Sequence, residues 1–183
     1  MRYNTLVQRH ETQLQPPQSD EDYPLVSCKY VPIEQLTTTD YVWSLIRQAP
    51  QLDTSYKHCL VDVKVHDLKA GQYPCIPGWH IDHRTSIVKS QKEIYQLLIT
   101  SDVSCTEFMT NEFESEEVFH KNVTIPDKIE TGYIHPLHWY SYDNHTFHRC
   151  TKAGYSGRRI LIRLCHSNQP GNAQPNFQPG VYS

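Results

Sequence analysis

The clearest pattern in the chain is the strict alternation of Leu60-Val61-Asp62-Val63-Lys64-Val65-His66, with Val61, Val63 and Val65 on one face and polar side chains on the other. A period of two predicts a half-buried β-strand. The apolar run Ile94-Tyr95-Gln96-Leu97-Leu98-Ile99-Thr100 predicts a buried strand, with a short helix as the alternative. Further strands are expected from Cys105 to Met109, at His148, and over Arg159-Ile160-Leu161-Ile162-Arg163-Leu164. One segment has helical spacing: after Thr39-Asp40, either a good N-cap, Val42, Leu45 and Ile46 share a face and Pro50 ends the helix. Tyr73-Pro74-Cys75-Ile76-Pro77 is too rich in proline for a central strand and is expected as an edge or loop. Residues 118 to 129, interrupted by Asn122 and Pro126, are expected as a hairpin or loop. Asp143-Asn144 supplies turn residues ahead of the His148 strand.

Many short strands with one early helix predict a mainly-β domain, a barrel or sandwich with an N-terminal helical flank; a double-stranded β-helix, or jelly roll, is such an architecture. The length of 183 residues suits one domain. Residues 1–24, rich in Gln, Pro and acids, are expected as a flexible arm, 25–167 as the domain, and 168–183 as an extended tail. No apolar run approaches the roughly 20 residues that span a bilayer, so no membrane partner is expected. The opening Met1-Arg2-Tyr3-Asn4-Thr5 leads into polar residues, which makes a reducing cytoplasm the expected location. Six cysteines without a C-x-x-C pair argue against a zinc knuckle or redox motif and for free thiols, with a disulfide framework as the minority alternative.

A net charge of −3 gives no overall attraction to nucleic acid. The charge is uneven, however. Glu112, Glu114, Glu116 and Glu117 form an acidic run, while Arg149, Lys152, Arg158, Arg159 and Arg163 fall in a stretch without an acid. Solvated faces are the commonest fate of such runs; the basic one is also a candidate anion site.

The candidate chemistry centres on Pro77-Gly78-Trp79-His80-Ile81-Asp82-His83. In an extended segment His80 and Asp82 point one way, and Trp79, Ile81 and His83 the other. An imidazole and a carboxylate then supply two of the three ligands of a 2-His-1-carboxylate site, the arrangement that leaves positions open on non-haem Fe(II). His148 is the candidate third ligand; His83, His135, His138 and His145 are alternatives. Such imidazoles need their second nitrogen held, by Asp143, a tyrosine or a backbone carbonyl. On the last strand, Arg159 and Arg163 share a face with Leu161, and Arg158 shares the other with Ile160, Ile162 and Leu164, so Arg158 and Arg159 cannot both face inward. Arg158, at the rim of the apolar face, is the preferred anion anchor.

The order Gly78-Trp79-His80-Ile81-Asp82, then His148, then Gly157-Arg158-Arg159 resembles the Fe(II)/2-oxoglutarate dioxygenases of the cupin superfamily over roughly residues 60 to 165. It is also similar to small cupin-like proteins encoded by bacteria and phages. The resemblance implies a cupin barrel, Fe(II) held by His80, Asp82 and His148, and 2-oxoglutarate bound by Arg158 or Arg159. Where that pattern commonly has a small hydroxyl residue two places after the basic one, this chain has Ile160 or Leu161. A metal-binding cupin without oxygenase activity, such as a viral accessory protein, is the alternative function. A nucleic-acid or protein partner on the basic face ranks below both.

Overall fold

The computed structural model describes residues 2–4, 7–52, 55–82, 92–114 and 125–183. His83, Glu116, Glu117 and much of the expected hairpin after residue 118 lie outside the described residues. The elements are β1 (Arg2–Tyr3), β2 (Val7–Arg9), β3 (Ser27–Pro32), α1 (Asp40–Arg47), β4 (His58–Leu68), β5 (Ile94–Ile99), β6 (Thr106–Met109), β7 (Phe113–Glu114), β8 (Thr131–Tyr133), β9 (Tyr140–Asp143), β10 (His148–Cys150), β11 (Gly157–Ser167) and β12 (Gln174–Phe177). The fold is mainly β, with antiparallel sheets and one α-helix among the described residues. No helix among them is long and apolar enough to cross a membrane.

A seven-stranded sheet runs β12-β3-β4-β11-β5-β9-β2, and a three-stranded sheet runs β10-β6-β8. An antiparallel bridge between His80 and His148 adds the 80–82 segment beside β10. From β4 onward the chain visits the two sheets in turn: β4 in the large sheet, His80 at the small one, β5 back in the large one, β6 and β8 in the small one, then β9, β10 and β11 alternately. The long strands β4 and β11 form the spine, paired in unbroken register from Gly157↔Leu68 to Ser167↔His58.

The helix forms as its residues dictate. Thr39 caps it, its hydroxyl accepting from the Val42 amide at 3.3 Å and donating to the Asp22 carbonyl at 2.8 Å. Val42, Leu45 and Ile46 cover one face of the large sheet, where Val61, Val63, Ile160, Ile162 and Leu164 complete a buried cluster. A second cluster fills the space between the sheets, from Tyr95, Leu97 and Ile99 of β5 to Phe108 of β6 and Tyr142 of β9.

Residues 1–24, expected as a flexible arm, supply β1 and β2, which pair with β7 and β9. Their anchors are Tyr3 and Leu14, both buried. The tail likewise supplies β12, on the edge of the large sheet. Isolated apolar residues in polar segments suffice here because sheet edges offer unpaired backbone groups.

A bulge interrupts β3. Cys28 pairs with Val63 and Val31 with Val61, so three steps on β3 match two on β4. The extra residue is absorbed at Tyr30, whose φ of 54° is in the left-handed region, and the Tyr30 amide is held by Asp62 Oδ1 at 2.8 Å. Cys28 and Val31 therefore both face the helix side, while Lys29 and Tyr30, though adjacent, both line the opposite side.

Ile162 sits at the middle of β11 with no exposed surface. Ile162→Ala is expected to cost about 2–5 kcal/mol, read as a lower urea midpoint at unchanged slope.

Candidate functional site

Between the sheets lies a cavity of about 640 Å³ that brings together His80, Asp82 and His148. Its floor is the face of the large sheet away from α1. On β4 that face carries Asp62, Lys64 and His66, the polar side of the alternating pattern, and opposite them on β11 stand Arg163, Leu161 and Arg159. The polar face of this strand is thus a cavity wall and not a solvated surface.

Each histidine is oriented by a carbonyl two residues earlier. His80 Nδ1 lies 2.9 Å from the Gly78 oxygen and His148 Nδ1 lies 3.0 Å from the Thr146 oxygen. A carbonyl only accepts, so in each ring Nδ1 is the donor and Nε2 is the nitrogen left for another partner. The Gly78 carbonyl reaches back to His80 because Gly78 has a φ of 112°, where L side chains are strained. The two ring centroids are 4.6 Å apart. His148 Nε2 is 3.4 Å from Asp82 Oδ2.

Asp82 is nearly buried and engaged at both oxygens. Tyr142 donates its hydroxyl to Oδ2 at 2.7 Å, and Arg163 ion-pairs with Oδ1. Arg163 also binds Asp62 Oδ2 at 2.6 Å through its other terminal nitrogen. Burial alone would raise the Asp82 carboxyl, but Arg163, His148 and the Tyr142 hydroxyl override it and hold it well below the usual carboxylate range. Burial pushes His148 down to about 4, against the opposing pull of Asp82, so the ring is neutral at pH 7. Among the described residues no group of three His, Cys, Asp or Glu side chains is arranged to hold a metal ion; the Asp82 carboxylate faces Arg163 and Tyr142 instead.

The two arginines of the candidate anion site separate. Arg159 points into the cavity and is 1% exposed. It donates to the Ser104 carbonyl at 2.6 Å, while its Nε has no hydrogen-bond partner. No carboxylate neutralises it among the described residues, and burial lowers it to about 10, with Cys75 and Cys150 pulling the other way. Arg158, the preferred anchor, lies on the other face and outside the cavity, where it pairs with Asp67 at 2.6 Å. The apolar side of β11 is buried under α1, so it is the charged side that lines the cavity; the expected assignment of faces is reversed.

His145 stacks edge-on to Tyr3, and His138 meets the Pro136 carbonyl and Arg9; neither they nor His135 line the cavity. Asp143 caps the 145–146 turn instead of holding a ligand ring. All six cysteines are free. Residues missed from the sequence are Asp62, Lys64 and His66, legible only as a polar strand face, and Tyr142, one of several tyrosines in its stretch. Comparisons with protein-family models, curated proteins and solved structures find no match for this chain.

Arg163→Met would strand two buried carboxylates and is expected to destabilise the fold by about 3–5 kcal/mol, whereas Arg158→Met should stay within about 0.5 kcal/mol; chemical denaturation compares them. A pH dependence also follows. Burial lowers His66 to about 3 and His148 to about 4, from 6.5. The unfolded chain then binds protons that the folded chain refuses, so this contribution is complete above pH 6.5 and declines as the pH falls towards 4. The double variant His66→Leu/His148→Leu should show a flatter decline across that window; an unchanged slope would contradict the assignment.

Proposed function

We propose that this protein is a non-haem Fe(II)-dependent oxygenase that uses 2-oxoglutarate, built on a double-stranded β-helix. The observation that carries the proposal is the His80–His148 bridge, which sets two carbonyl-oriented imidazoles beside Asp82 on the wall of one cavity. The strand order supports the scaffold. The inner strands β4-β11-β5-β9 of the large sheet face the row formed by the His80 segment, β10, β6 and β8, and the chain shuttles between the rows.

The donor types suit a divalent ion, although the three side chains are not arranged around one in this structure. Two imidazoles whose Nδ1 is taken by a carbonyl offer Nε2, and a carboxylate with four lone-pair positions keeps capacity after Arg163 and Tyr142 are served. His80, His148 and Asp82 would hold the metal, with Tyr142 and Arg163 orienting the carboxylate from behind. When bound, Fe(II) supplies the activation of dioxygen that couples decarboxylation of 2-oxoglutarate to oxidation of a substrate. Arg159 is the group for the distal carboxylate of 2-oxoglutarate, because a buried guanidinium without a counter-ion among the described residues matches an incoming carboxylate bidentately. Leu97, Ile81 and Leu161 on the cavity wall exclude water from that pairing and strengthen it.

The engagement of Asp82 by Arg163 favours a second reading, a protein of this fold that binds a metal without oxygenase activity, or binds none, as an accessory or binding protein. Chelator-stripped protein supplied with Fe(II), 2-oxoglutarate and oxygen discriminates between the two. Succinate formation lost in His80→Ala and Asp82→Ala supports the oxygenase. Arg159→Ala should raise KM for 2-oxoglutarate by about 10- to 150-fold, the value of a charged hydrogen bond, with Arg158→Ala unchanged. No succinate, with zinc or no metal in protein purified without chelator, supports the second reading.

A further inference from the structure

The cavity carries more positive charge than a metal site and one co-substrate carboxylate use. Its described lining holds Lys29, Lys64, Arg159 and Arg163, and Asp82 is the one carboxylate among those residues. Arg163 is neutralised by Asp82 and Asp62. Among the described residues Lys64 has one distant ion-pair partner, Asp62 at 3.9 Å, which Arg163 already binds more closely. Lys29 has no ion pair among the described residues. We propose that Lys29 and Lys64 form a second anion subsite, which seats a phosphate or carboxylate on the primary substrate with a planar group of that substrate against Phe177 and Tyr30.

The placement is specific. Lys64 pairs with Leu161, one step along the pleat from the Arg159–His66 pair, and Lys29 stands one strand further out on β3. The two lysines converge on one ring: their Nζ atoms lie 5.3 Å and 5.6 Å from the centroid of Phe177, and Lys29 Nζ is 4.8 Å from that of Tyr30. Two ammonium groups around one ring raise the positive potential there, which an anion offsets. The β3 bulge aims Lys29 into the cavity together with Tyr30, at the expense of a left-handed backbone at a tyrosine. Strain of that kind is retained where surrounding structure fixes it, and it gathers at ligand sites. Aromatic rings beside the cations supply an apolar platform for the flat part of a ligand.

The subsite also has a defined relation to the metal ligands. From Lys64 the contacts run through Asp62 to Arg163 and on to Asp82, and the lysines line the same cavity as His80 and His148. The inference rests on the oxygenase reading only in calling the ligand a substrate. The anion subsite itself is independent of the metal.

The test uses the full chain, stripped of metal and kept in chelator, titrated calorimetrically with phenyl phosphate. The wild type should bind, more weakly as sodium chloride is added, and Lys29→Ala/Lys64→Ala should weaken binding about tenfold or more, as expected for loss of charge-assisted hydrogen bonds. Lys29→Ala alone, on β3 next to the edge strand β12, gives a readable loss should the double variant fold poorly, as checked by circular dichroism. Arg158→Ala, which removes a cation outside the cavity, should bind as the wild type does. No binding by the wild type, or binding unaffected by either lysine substitution, overturns the subsite. Succinate formation without phenyl phosphate is measured in parallel. Its absence alongside lysine-dependent binding removes the oxygenase reading and leaves the subsite standing; its presence alongside lysine-independent binding does the reverse.

Discussion

A buried guanidinium must be neutralised where it lies, and Arg163 is neutralised from two sides. Asp62 reaches it from the neighbouring strand β4, and Asp82 from the segment that carries His80. Because taking an unpaired charge out of water costs more than the fold has to spare, the chain has to deliver Asp82 to β11. That requirement draws residues 80–82 across the mouth of the cavity, sets the backbone bridge from His80 to His148, and leaves the His148 ring against the same carboxylate. Arg163 thus fixes the spine of the large sheet and the place of the site with one side chain. Tyr95 and Tyr142 enclose it, with the Tyr95 ring 5.3 Å from its guanidinium carbon.

The same constraint explains a tension at the centre of the site. A carboxylate held by an arginine and a tyrosine is well oriented and strongly ionised, which suits a metal ligand supported from behind. It also has a counter-ion already. In the proposed holo state Asp82 answers to both Arg163 and the metal, and the neutral imidazole of His148 adds no charge to that balance. The remaining positive charge, Arg159 without an acid among the described residues and two lysines around Phe177, is what the proposed anion sites would use.

Much of this was legible in the residue pattern, for definite reasons. Val61 and Val63 alternate because one face of β4 packs under α1, and the capped helix with its apolar stripe appears as spaced. His80, Asp82 and His148 meet because a short extended segment obeys its period and a backbone bridge joins the segments. What escaped the pattern was the meaning of polarity. On β4 and β11 the polar faces line a cavity, so Asp62, Lys64 and His66 read only as the polar side of a half-buried strand, while the apolar face of β11 draws the preferred anchor to Arg158 over Arg159. Burial depends on what covers a strand, and that is a tertiary fact. The N-terminal segment was read as unstructured for the same reason: composition cannot anticipate that Tyr3 and Leu14 each find a prepared site. The bulge at Tyr30 left no mark in the sequence, since no glycine or asparagine stands there.

The most direct test of the account is where a metal goes. Crystals grown anaerobically with Fe(II), with anomalous diffraction collected at the iron edge, locate the ion independently of any assay. The account predicts one strong peak within about 2.0–2.2 Å of Nε2 of both His80 and His148 and of one oxygen of Asp82, with Arg163 and Tyr142 still on that carboxylate. A peak elsewhere, or an iron-free site with Asp82 bound only to Arg163 and Tyr142, would contradict it.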